Sequence, residues 1–112
     1  MSINTYNSRD VKTLGRVFKL LGEPNRLRIL FELGLECRPV TDIIEATELS
    51  QTNVSFHLRA LREAGLVRPE RRGSFIYYCL SDSDLLTIVE DMKTWLEQHE
   101  VIKPPRRRRA AS

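Results

Sequence analysis

The chain has 112 residues, 41% of them hydrophobic and 29% charged, the size and balance of one globular domain with a modest core; a two-domain enzyme does not fit. Its longest apolar run, Phe75 to Leu80, is six residues, far short of the roughly 20 that a membrane helix needs. The N-terminus, with Asn4, Asn7, Arg9 and Asp10, lacks the apolar stretch of a signal peptide, so the expectation is a cytoplasmic protein with no membrane partner.

Residues 1–8 are polar and are predicted to form a disordered N-terminus, followed by one domain over residues 9–100. Val11, Leu14, Phe18 and Leu21 recur at helical spacing and predict a first helix over about residues 9–21, ended by Gly22. Pro24 suits the first turn of a second helix. Leu27, Leu30 and Phe31 form its buried stripe, and Gly34 closes it. Pro39 stops continuation, and a short third helix follows over about 40–47 with Ile43, Ile44 and Ala46 inward. Leu49 and Ser50 make the next joint, Ser50 being a good N-cap. Helix four runs to about Ala64 with Val54, Leu58 and Leu61 on its apolar side.

After Gly65 the period changes from helical to alternating. Leu66 to Glu70 reads as a strand, Arg71-Arg72-Gly73-Ser74 as a turn and Phe75 to Leu80 as a second strand, with Pro69 confining the first strand to an edge. Ser81 is the predicted cap of a last helix, with Asp82 and Asp84 complementing its dipole. Leu85, Ile88, Val89, Met92, Trp95 and Leu96 give that helix a broad apolar stripe through His99. Residues 101–112, ending in Arg106 to Arg109 and beyond, read as a basic disordered tail.

This order is mainly α with a small β-hairpin wing: a winged helix-turn-helix, ααααββα. Charge agrees with it. The net charge of +3 conceals a segregation: residues 50–75 set five arginines against two glutamates, and residues 82–100 set six carboxylates against Lys93. A basic middle beside an acidic end prepares one face for a polyanion. A DNA major groove, about 12 Å wide, admits one helix whose first turns touch base edges. With 54, 58 and 61 inward, helix four presents Gln51, Thr52, Asn53, Ser55, Phe56, His57 and Arg59 as candidate DNA contacts. Gln and Asn pair bidentately with adenine, Arg with guanine, and Phe packs on a thymine methyl. For His57, a structural hydrogen bond on the flank of the helix weighs equally. Arg71 and Arg72 at the hairpin tip would reach flanking phosphates or the minor groove.

The segment Leu49-Ser50-Gln51-Thr52-Asn53-Val54-Ser55-Phe56-His57-Leu58-Arg59-Ala60-Leu61-Arg62-Glu63-Ala64-Gly65-Leu66-Val67 resembles the recognition segment of ArsR/SmtB-type bacterial repressors. The stretch from Leu21 through Leu30, and the wing Gly73-Ser74-Phe75-Ile76-Tyr77-Tyr78, resemble two further motifs of that family, in the same order. The resemblance implies a homodimeric repressor, paired through its first and last helices and binding an inverted-repeat operator in double-stranded DNA. The candidate dimer residues are Leu14, Phe18, Val89, Met92, Trp95 and Leu96. The sequence supports pairing independently, because the last helix is apolar over more of its circumference than a small monomer can bury.

The resemblance thins at the sensor. Where some relatives carry a thiolate pair in helix three, this chain has Pro39 and Thr41. Where others carry carboxylate and His ligands across the last helices, it has Asp82, Asp84, Trp95 and Gln98, two of which cannot ligate a transition metal. No metal site and no cofactor are therefore expected, and the releasing signal is left open. A small organic effector between the dimer helices is one alternative. A redox, arsenite or soft-metal response through Cys37 and Cys79 is another, Cys37 being a loop thiol beside Arg38. A disulfide between the two is not expected in a cytosolic setting, and nothing in their spacing demands that they meet. A protein-binding winged-helix module is the reading from a different class; Gln51, Ser55 and Arg59 on the outer face argue against it. With two histidines in unrelated elements and no Gly-rich phosphate loop, no catalytic constellation is present and the chain is not read as an enzyme.

Overall fold

A computed structural model describes residues 7–34 and 36–102. Five helices and three strands follow in the order α1 (Ser8–Leu21), α2 (Pro24–Glu32), β1 (Arg38–Pro39), α3 (Val40–Thr47), α4 (Gln51–Glu63), β2 (Val67–Arg72), β3 (Phe75–Leu80) and α5 (Asp84–Gln98). The architecture is the predicted winged helix-turn-helix. Of the predicted disordered ends, residues 1–6 and 103–112 lie outside the described residues. Asn7 and Ser8, expected in the disordered N-terminus, belong to α1: Ser8 begins the helix and Asn7 caps it, its side chain accepting from the Asp10 N–H at 2.8 Å.

The core is the meeting point of α2, α3, α4 and the base of the wing. Ile29, Leu30, Leu33, Ile43, Val54, Leu58, Leu61, Val67 and Leu80 form one buried cluster. The helical spacing of 54, 58 and 61 places those side chains on one side of α4 and commits the rest of that helix to solvent. Two details depart from the sequence reading. Ala46 is exposed and Thr47 is buried in its place, its hydroxyl donating to the Ile43 carbonyl at 2.7 Å and accepting from the Leu49 N–H at 3.4 Å. A buried hydroxyl with a donor and an acceptor costs little, and this one turns the chain at the joint, where Glu48 adopts φ 60°. At α5 the cap is Ser83, not Ser81, and the Asp82 carboxylate accepts from the Asp84 N–H at 2.8 Å.

The wing is tighter than predicted and has a third strand. The hairpin turn is only Gly73-Ser74, with Gly73 at φ 64°, a left-handed conformation that glycine adopts without steric cost. Arg71 and Arg72 therefore belong to β2. Strand order is β1-β3-β2, which leaves Pro69 on an edge strand as its missing N–H requires. The two-residue β1 was missed because it is too short to alternate. It pairs antiparallel with β3, Arg38 opposite Tyr78 and Pro39 opposite Tyr77. Arg38 anchors it, donating from Nε to the Glu32 carbonyl at the end of α2 at 2.7 Å.

α1 and α5 contribute no fully buried residue. Their apolar sides meet α2 around a concavity of about 390 Å³ lined by Phe18, Leu21, Leu27, Phe31, Val89, Met92 and Leu96, among others. Gly34 allows α5 to approach the end of α2, since a Cβ there would collide with the Leu86 side chain.

Candidate nucleic-acid interface and thiol cluster

Ser50 opens α4, its Oγ accepting from the Asn53 N–H at 3.1 Å. This leaves the first turn of the helix projecting with its remaining N–H groups free for a partner. Gln51, Thr52, Asn53, Ser55, Phe56 and Arg59 are all exposed. Phe56 is 60% exposed, an unusual position for a phenyl ring. Arg59 is held loosely by Glu63, 3.6 Å away and equally open to solvent.

His57 faces the other way. It is buried, and its Nδ1 accepts from Arg26 Nε of α2 at 3.1 Å, which puts the ring proton of the neutral imidazole on Nε2. The same guanidinium donates to the Leu20 carbonyl at 3.2 Å and lies 5.7 Å from the centre of the Phe56 ring. Arg26 thus joins α1, α2 and α4 and steadies Phe56, a role the sequence reading did not assign. The candidate DNA contact at His57 is corrected to the structural hydrogen bond weighed beside it.

On the wing, Arg71 is exposed with no ion pair among the described residues. Arg72 reaches back along its strand: its Nη2 lies 2.6 Å from the Glu70 carboxylate, and its guanidinium sits 4.5 Å from the centre of the Tyr77 ring. Arg68 holds the other oxygen of Glu70 at 3.1 Å. Hydrogen bonds first from Arg72 and then from Arg68 keep the Glu70 carboxyl below the usual carboxylate range.

The two cysteines form a disulfide, against the sequence reading. β1 brings them together: with Arg38 opposite Tyr78, one further step of the antiparallel register sets Cys37 opposite Cys79, their Cα atoms 4.2 Å apart. Cys79 points away from the core face of β3, as its alternation with Tyr78 and Leu80 indicates, yet it is buried. Cys37 is partly open to solvent. A Glu70 oxygen lies within 4.8 Å of both sulfurs. Arg38, read as a neighbour that would activate a free thiol, is occupied at Glu32. Arg68, Glu70 and Arg72 share one face of β2, a pattern visible in the sequence but unused there.

On α1 and α5, Leu14, Phe18 and Trp95 are each more than half exposed, and Met92 is 42% exposed. Val89 and Leu96 are half-buried at the floor of the α1–α2–α5 concavity. Trp95 does not line that space; it stacks on His99 with ring centres 4.0 Å apart. At the start of α5 the Asp82 carboxylate accepts from the Asp84 N–H at 2.8 Å.

The profile described as "Bacterial regulatory protein, arsR family" matches residues 23–68. A cadmium resistance transcriptional regulatory protein CadC homolog of Staphylococcus aureus is 35% identical over 91 residues, covering 79% of this chain and 72% of that one. The transcriptional repressor SdpR of Bacillus subtilis is 32% identical, covering 74% and 88%. Among solved structures, a homodimeric winged helix-turn-helix DNA-binding domain from Mycobacterium bovis superposes with a TM-score of 0.71 at 28% identity, over 93% of this chain and all of that one. Rv0081 of Mycobacterium tuberculosis gives 0.75 at 28% identity, over 86% and 100%.

Proposed function

The chain belongs to the ArsR family of bacterial regulatory proteins, transcriptional regulators that bind DNA through a winged helix-turn-helix, and from that premise we propose a repressor that grips an inverted-repeat operator as a homodimer. The observation that carries this is the division of α4: Val54, His57, Leu58 and Leu61 are buried, while Gln51, Thr52, Asn53, Ser55, Phe56 and Arg59 project together. Those six read base edges in the major groove, and Arg71 at the wing contacts the flanking backbone. Arg72 joins it when released from Glu70.

The homodimer forms through α1 and α5. Leu14, Phe18, Val89, Met92, Trp95 and Leu96 are more apolar surface than a monomer of this size leaves to water without purpose. The solved relative from Mycobacterium bovis is described as homodimeric. A two-fold pairing sets the recognition helices about 34 Å apart, one turn of DNA. Mobility shift of DNA flanking the gene, with Arg59→Ala as the control, tests the reading: a saturable shift that the variant loses supports it, and a protein that binds no DNA more tightly than random duplex removes it.

The releasing signal does not act through the family's metal positions, which hold Pro39 and Thr41 in one set and Asp82, Asp84, Trp95 and Gln98 in the other. A small apolar effector seated in the α1–α2–α5 concavity is one source of release. The disulfide favours a second reading, that Cys37 and Cys79 respond to redox conditions.

A further inference from the structure

The DNA-reading unit is enclosed by one covalent bond. Between Cys37 and Cys79 lie β1, α3, α4, β2 and the first four residues of β3, that is, the helix-turn-helix and most of its wing. Without that bond, β1 is held to β3 by two register pairs, Arg38 with Tyr78 and Pro39 with Tyr77. β1 runs without a break into α3, whose N-cap is Pro39. The disulfide therefore adds a covalent tie between the wing and the start of α3, beside the core packing that Val67 and Leu80 share with α4.

We propose that Cys37–Cys79 is a reversible thiol–disulfide exchange site for low-molecular-weight thiols, and that the oxidised form is the one that binds DNA tightly. This deepens the second reading above and rests on α4 and the wing engaging DNA together. The partly open Cys37 is the point of entry. A small thiolate attacks Cys37 Sγ; the bond to Cys79 breaks, and its electron pair leaves on the Cys79 sulfur. A second small thiol resolves the mixed disulfide, so that two thiols become one small-molecule disulfide and the protein gains two thiols. The surroundings favour this chemistry over a cation site. Arg68 stands opposite Cys79 in the register, where its charge stabilises a departing thiolate. The carboxylate that would complete a metal-binding set is held by both Arg68 and Arg72.

Reduction weakens DNA binding by removing the covalent tie between β1 and β3, so that ordering α3 and the wing together on the duplex costs more.

The test uses the full chain, equilibrated without oxygen in mixtures of reduced and oxidised glutathione, then trapped by alkylation and weighed by mass spectrometry. Affinity for a selected DNA site is measured by fluorescence anisotropy at each ratio, with far-UV circular dichroism recorded alongside. The expected result is a single two-electron transition, with the reduced protein folded and binding about tenfold more weakly. A Cys37→Ser, Cys79→Ser double variant, itself checked by circular dichroism, should match the reduced form and ignore glutathione. Equal affinity of the two forms overturns the inference while leaving the DNA reading intact. Reduction only after unfolding overturns it as well, by making the bond purely structural. Specific binding in neither form removes the DNA reading and this inference with it.

Discussion

Loss of the Cys37–Cys79 bond should lower stability by an amount that the chain's connectivity sets. The bond joins residues 42 apart in sequence. Closing a loop of that length removes about 13 cal/mol/K of entropy from the unfolded chain, which is about 4 kcal/mol at 25 °C. Small domains have only about 5–15 kcal/mol of net stability, so the reduced protein keeps its fold with a thin margin. At about 2 cal/mol/K of unfolding entropy per residue, 4 kcal/mol corresponds to a fall in Tm on the order of 15–20 °C. The assay is urea unfolding of the oxidised and fully reduced protein, followed by circular dichroism, with the double serine variant as a third sample. Reduced protein and variant should agree with each other and lose about 4 kcal/mol. The slope against urea should also rise on reduction, because an unfolded chain without the cross-link exposes more surface. A loss under 1 kcal/mol would refute the reasoning, since the 42-residue loop would then be closed already in the unfolded state.

Other consequences separate the parts of the interface. Arg59→Ala should cost about 1–3 kcal/mol on the specific site and little on random DNA; titrations on the two duplexes distinguish base reading from a phosphate contact, which would lower both equally. Leu96→Asp places an unpaired charge on the α1–α5 seam, so light scattering should report a monomer and operator affinity should collapse; a dimer that still binds DNA would locate the interface elsewhere. Glu70→Gln should free Arg68 and Arg72 and steepen the logarithmic salt dependence of DNA binding by up to about 1.8, at roughly 0.9 per phosphate contact. The carboxyl of Glu70 is lowered by Arg72 and then Arg68, so its contribution is complete above the ordinary carboxylate pKa and lost only as pH falls through the lower folded value. The native salt slope should accordingly be unchanged from pH 7 to pH 5, and a slope that steepens over that range would contradict the pairing.

Much of this organisation is legible in the residues because it rests on periodicity. Val54, Leu58 and Leu61 mark the inward side of α4, and an outward Phe56 follows from them. His57 was ambiguous for a physical reason: it lies on the flank of the helix, and its burial depends on Arg26, 31 positions away. The disulfide was hidden in the same way. Its cause is a two-residue strand, and a pairing that short leaves no pattern in the sequence; only the register of β1 on β3 brings Cys37 to Cys79. The wing turn was placed two residues too wide because Arg71 and Arg72 look like turn residues, whereas Gly73-Ser74 alone supplies the required left-handed step.

The account stands on two copies of α4 entering successive major grooves through a two-fold axis at α1 and α5. Selection of binding sites from random duplex DNA with the oxidised 112-residue chain tests this most directly. The account predicts an inverted repeat whose half-sites lie about 10 base pairs apart, centre to centre, occupied by one dimer and lost with Arg59→Ala. Enrichment of a single unrepeated half-site bound by a monomer, or of no sequence at all, would contradict it.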